Sequence, residues 1–101
     1  MSIQVPIKKI VGPFAADKDK AREIRETFVL PALRQHVEVT LDFEGVEYAT
    51  QSFVHALVSA ALRETGEDGL DFLVFAECSD AVQAIIETVV EYTLFAPESG
   101  D

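Results

Sequence analysis

Val37, Val39, Leu41 and Phe43 fall on one side of an extended chain, while Glu38, Thr40 and Asp42 fall on the other. This unbroken alternation constrains the fold more than any other feature. A period of two is that of a strand with one buried and one wet face, and it excludes a helix over the same residues. A strand of this kind asks for one covering layer, and the helices needed to supply it are present on either side.

Ile3, Val5 and Ile7 alternate with Gln4, Pro6 and Lys8, which predicts a first strand. Pro6 has no amide hydrogen to give to a ladder, so this strand belongs at an edge. After the Gly12-Pro13 break, Ala16-Asp17-Lys18-Asp19 supplies helix-start chemistry for a helix carrying Ala21, Ile24 and Phe28 at helical spacing, which Pro31 should end or kink. Gly45 turns the chain after the Val37–Phe43 strand, and Ser52 can cap a second helix whose stripe is Phe53, Val54, Leu57, Val58 and Ala61, with Gly66 as its stop. Leu70–Ala76 reads as a third strand, and its continuous apolar run Phe72–Phe75 predicts a central position covered on both faces. A last helix begins near Asp80, with Gln83 three residues on as in a capping box. It buries Val82, Ile85, Ile86, Val89 and Val90 and leaves Asp80, Gln83, Glu87 and Glu91 in water.

The order is therefore β-α-β-α-β-α, without an internal repeat. Short right-handed crossovers give a small, mostly parallel sheet with helices chiefly on one face, a two-layer α/β sandwich. Residues 1–96 form one domain and residues 97–101, PESGD, a flexible tail.

Eighteen acidic against 8 basic side chains give a formal charge of -10, and 49% of residues are hydrophobic, enough for a real core. The charge opposes direct nucleic-acid binding, because an acidic surface gains nothing from counterion release. No apolar run is long enough to cross a membrane, and MSIQVPIKKI lacks the apolar core of a signal peptide, so a cytoplasmic location is expected. Cys78 is the only cysteine, so no disulfide closes within the chain and no cysteine zinc site is available. It follows an apolar strand, as a small buried hydrophobe would.

No phosphate-cradling glycine loop is present, and His36 and His55 stand 19 residues apart without a carboxylate at metal-binding spacing. Neither metal nor cofactor is expected. Ser52, His55 and Asp42 could be assembled into a triad on paper, yet no nucleophile elbow surrounds Ser52 and a hydrolase is not expected. Asp42, at the carboxyl end of a strand, is the best single position for a small ligand, or else accepts turn hydrogen bonds.

The informative segment runs from Asp42 to Phe53, strand through turn to helix start: Asp-Phe-Glu-Gly-Val, then Glu-Tyr-Ala-Thr-Gln, then Ser-Phe. It resembles the STAS domain of anti-anti-sigma factors, and most closely the STAS-like family of unknown function, whose signature reads Asp-Phe-x-Gly-Val followed by a Ser-Phe pair. The resemblance covers most of the chain. It places Ser52 where anti-anti-sigma factors carry the serine that a partner kinase phosphorylates. Thr50, Gln51 and Phe53 depart from that pattern, standing for its acidic residue, first serine and glycine.

The resemblance implies a non-enzymatic regulator that binds a protein partner, an anti-sigma-type ATPase or serine kinase, with Ser52 as phosphoacceptor. Contact is expected over Asp42, Glu44, Gly45, Glu47, Thr50 and Gln51, and along a helical stripe of His55, Ser59 and Arg63. Glu44 and Glu47 make that loop negative, so a phosphate on Ser52 is expected to repel a partner. A second reading is an acidic inhibitor that mimics nucleic acid in a basic groove, using Glu64, Glu67, Asp68, Glu87 and Glu91. A third is a small-ligand sensor at Asp42.

Overall fold

The computed structural model describes residues 2–95. The expected tail, and residues 1 and 96, lie outside the described residues. Three parallel strands form the main sheet: β1 (Ser2–Pro6), β3 (Glu38–Asp42) and β5 (Leu73–Ala76), in the order β1-β3-β5. Val39 lies opposite Ile3 and Leu73, and Leu41 opposite Val5 and Phe75, so one face of the sheet is continuously apolar. The other face carries Ser2, Gln4, Glu38, Thr40, Asp42, Val74 and Ala76, and of these only Thr40 is buried. The helices pack chiefly on the apolar face, as the alternation in β3 requires, and the architecture is the expected α/β sandwich.

Pro6 ends an edge strand, where its missing amide hydrogen costs the ladder nothing. The third strand is shorter than expected and lies at the opposite edge instead of the centre. Its apolar run is divided among separate tasks. Leu73 and Phe75 face the core, half-buried Val74 sits beside Thr40 on the open face, and Phe72 meets the edge of the His36 ring at 5.3 Å.

A short helix α1 (Ile7–Val11) and a second, two-stranded parallel sheet, β2 (Phe14–Ala15) with β4 (Tyr48–Ala49), add to the predicted order. Helix α2 (Lys18–Ile24) is capped by Asp17, whose carboxylate accepts the amides of Asp19 and Lys20. It widens into a π-helical turn, Arg25–Val29, where Leu30 N–H reaches back to Arg25 O, and continues as α3 (Leu30–Arg34). Pro31 therefore does not end the helix. It has no N–H, and its ring would press on the carbonyl four residues back in a regular helix; the wide turn just before it relieves that contact.

Helix α4 (Gln51–Leu70) is the centre of the helical layer, with α2 on one side and α5 (Asp80–Phe95) on the other. Phe53, Val54, Leu57, Val58 and Ala61 are fully buried along it, as the spacing predicts, and Leu62 is buried with them. Gly66 breaks its regular geometry at φ 68°, ψ -153°, after which the chain makes a further turn before β5. The cap of α5 is Ser79 and not Asp80: its hydroxyl accepts Val82 N–H at 3.1 Å and its carbonyl accepts Gln83 N–H at 2.8 Å. Gln83 turns outward and donates to Glu87. No helix among the described residues is long and apolar enough to cross a membrane.

Candidate functional site

The second sheet decides where the site lies. Glu47 N–H donates to Pro13 O at 2.8 Å and Thr50 N–H to Ala15 O at 2.9 Å, so the segments leading into α2 and α4 run parallel and in register. The two helices consequently start side by side. Along α2 and its continuation, Lys18, Arg22 and Arg25 recur at spacings of four and three, which puts them on one face. Along α4, Gln51, Ser52, His55, Ala56, Ala60 and Arg63 face them, and a groove of about 570 Å³ separates the two rows. Arg25 bridges it, donating from its guanidinium to Ala56 O at 3.2 Å.

Four of the chain's eight Lys and Arg residues line this groove, and no carboxylate does. Arg22 pairs with Asp19 at 2.7 Å and Arg25 with Glu26 at 2.9 Å, neither carboxylate lining the groove, while Lys18 and Arg63 form no ion pair among the described residues. Ser52 thus shares a groove with four cations and no carboxylate. Glu44 and Glu47, expected to make these surroundings negative, do not line the groove; three of its cations come from α2 and its continuation, some thirty residues earlier, and the fourth, Arg63, from α4 itself.

Ser52 is not the helix cap either. Thr50 is extended, and its hydroxyl accepts Phe53 N–H at 3.0 Å. Ser52 is exposed in the first turn, and its own amide and that of Gln51 belong to the helix end that has no intrahelical partner.

The remaining expected contact residues separate. Asp42, Glu44 and Gly45 line a different groove with Pro6, Lys8 and Lys9. There Asp42 accepts Glu44 N–H at 2.9 Å, the turn-forming role of such a side chain, and Gly45 adopts φ 81° with the Lys8 side chain lying across it. Asp42 is therefore not in the groove of Ser52 and His55, and the paper triad is not assembled. Glu47 is exposed. Ser59 leaves the polar stripe: it is 1% exposed, and its hydroxyl lies 3.0 Å from Thr93 Oγ1. Helical spacing put it in line with His55 and Arg63, which line the groove, whereas Ser59 is buried against α5.

The acids of the inhibitor reading are dispersed. Glu87 and Glu91 are on α5, Glu67 and Asp68 follow the break at Gly66, and Glu64 is engaged by Arg34 at 2.6 and 2.9 Å. Those two hydrogen bonds hold the Glu64 carboxyl below its ordinary pKa. Lys18, Arg22 and Arg25 were not anticipated as site residues, although their four-and-three spacing was a readable signal.

A family model described as a STAS-like domain of unknown function (DUF4325) matches residues 20–83, more than half of the chain. The chain belongs to that family. The matched span of this STAS-like domain runs from within α2 through β3, the Gly45 turn, α4 and β5 to the first turn of α5, and so includes every residue lining the groove except Lys18. No curated protein and no solved structure shows significant similarity to the chain.

Proposed function

We propose that this STAS-like domain is a non-enzymatic cytoplasmic regulator that binds a partner protein over the groove between α2 and α4, with Ser52 as the residue whose phosphorylation releases the partner. The observation that carries this reading is the position of Ser52: an exposed hydroxyl, free of capping, in a groove lined by Lys18, Arg22, Arg25 and Arg63. An anti-sigma-type ATPase or serine kinase is the partner class that the family resemblance suggests.

The cations change how such a switch would work. A phosphate brings about -1.5 to -2 charges and three acceptor oxygens, and at Ser52 it would engage the nearest one or two of the groove's cations. It would compete with the partner for those groups instead of deepening a negative surface. Phe14 and Tyr48, opposite one another in β2 and β4 and 65% and 46% exposed, stand directly before the two helices and offer apolar contact beside the charged groove.

The test is capture of the partner with the purified domain, followed by its affinity for Ser52→Ala and Ser52→Asp and by mass analysis of Ser52 in the native protein. Ser52→Ala is expected to bind as the parent does and Ser52→Asp to lose the partner. Equal affinity of the two variants overturns the switch.

A further inference from the structure

In a chain with 18 acidic residues, a groove lined by four cations and no carboxylate is not what an even distribution of charge would give. Its shape is as informative as its charge. From Ser52 to Arg63 it follows eleven residues of α4, about 16 Å at 1.5 Å per residue. Ala56 and Ala60 form a low floor between these ends, and the cations are strung along both sides instead of converging on one point. A single phosphate could reach only one or two of them.

Resting on the partner-binding reading above, we infer that the occupant of this groove is an acidic segment of the partner protein, a stretch of Asp and Glu residues lying along the trough between α2 and α4. Carboxylates spaced along such a segment meet Lys18 and Arg22 on one wall and Arg63 on the other. The Arg22–Asp19 and Arg25–Glu26 pairs do not close the site. Arg22 and Asp19 are 52% and 86% exposed, and so weak a surface pair yields to an incoming carboxylate; Arg25, 19% exposed and donating to Ala56 O, stays in the groove wall.

A nucleic acid is the poorer occupant. It would carry its phosphates beyond the trough over the surrounding acids, and no Phe, Tyr or Trp lines the groove to stack a base. A peptide can confine its charge to the trough, and acids farther away are screened over about 8 Å at physiological ionic strength.

The probe is a fluorescein-labelled deca-glutamate peptide, titrated by anisotropy at physiological salt against the parent domain, Arg63→Gln and Arg22→Gln, with an oligothymidylate of equal length as the second ligand. Lys20→Gln, on α2 but outside the groove, and Lys9→Gln are the charge-matched controls. Melting curves confirm that every variant is folded. Arg63→Gln and Arg22→Gln are each expected to weaken the peptide by about fivefold or more, and the controls by less than about twofold. Absence of peptide binding, equal weakening by the controls, or tighter binding of the oligothymidylate overturns the inference. The two readings fail separately. A partner lost on Ser52→Asp but indifferent to Arg63→Gln and to competing deca-glutamate leaves the switch standing and removes the acidic segment. Groove-dependent peptide binding with a partner indifferent to Ser52→Asp does the reverse.

Discussion

Thr50 Oγ1 accepts the Phe53 amide at 3.0 Å, and Phe53, fully buried beneath it, ties the start of α4 to the core. The same threonine gives its own amide to Ala15 O, so one residue both joins the two small strands and starts the helix. Ser52, two positions on, contributes to neither. Thr50→Ala should then cost about 1 kcal/mol, a fall of roughly 4–8 °C in melting temperature for a domain of this size. Ser52→Ala, an exposed change without a capping role, should stay within about 0.5 kcal/mol of the parent. Thermal denaturation of the two variants side by side checks this, and a larger loss for Ser52→Ala would return the cap to Ser52.

The turn after β3 is set by Gly45. At φ 81° it lies in the region that L residues avoid, and an added Cβ would stand 2.6 Å from Lys8 Cδ. The lysine side chain can swing away; the backbone cannot. Gly45→Val should therefore destabilise the domain by about 1–3 kcal/mol, chiefly through the backbone. Chemical denaturation of Gly45→Val and of Gly45→Val with Lys8→Ala separates the two causes, since the second change should recover little.

Local period and turn chemistry made much of this fold legible in the sequence. The alternation from Val37 to Phe43 identified β3 and its buried face, Pro6 an edge, Gly45 the positive φ, and the stripe from Phe53 to Ala61 the buried side of α4. What escaped depended on long-range pairing or on a choice between adjacent groups of equal chemistry. Thr50 and Ser52 both carry hydroxyls at the helix start, and Ser79 and Asp80 can both cap α5; only the backbone conformation selects between them. β2 and β4 are two residues each, too short to show a period, yet their pairing brings Lys18 beside Ser52. The groove could not be read without that pairing, because its walls come from segments that share no local pattern. Ser59 failed for the same reason in the opposite sense, since nothing local announces that α5 covers it.

Ser59 and Thr93 join α4 to α5 through hydroxyls 3.0 Å apart, with Ser59 almost wholly shielded from water. Removing one partner leaves the other short of a hydrogen bond in a partly buried site, so Ser59→Ala should cost about 1–2 kcal/mol. Replacing both, Ser59→Ala with Thr93→Val, should cost less than the sum of the single changes. A double-mutant cycle by denaturant unfolding measures the difference. Strict additivity would show that the two hydroxyls do not depend on each other.

Cys78 is half-buried after β5, with its thiol directed at Ala76 O at 3.8 Å, not fully buried as its position after an apolar strand suggested. Burial, first, and the negative charges of Asp42 and Glu77, second, raise its pKa above the ordinary thiol value. The thiolate is the reactive form, so alkylation by iodoacetamide at neutral pH should be slower than for a free cysteine, and its pH profile should be displaced to higher pH. The sign for stability follows from the same shift. The folded state holds this proton more tightly than the unfolded chain, so the contribution is fully present below the ordinary thiol pKa and is lost as the pH rises through the folded value. Asp42→Asn keeps an oxygen able to accept Glu44 N–H while removing one of the two charges, and should move the alkylation profile part of the way back toward lower pH. A profile identical to that of a free cysteine in the parent protein would mean that neither the burial nor the charges at the end of β5 act on the thiol.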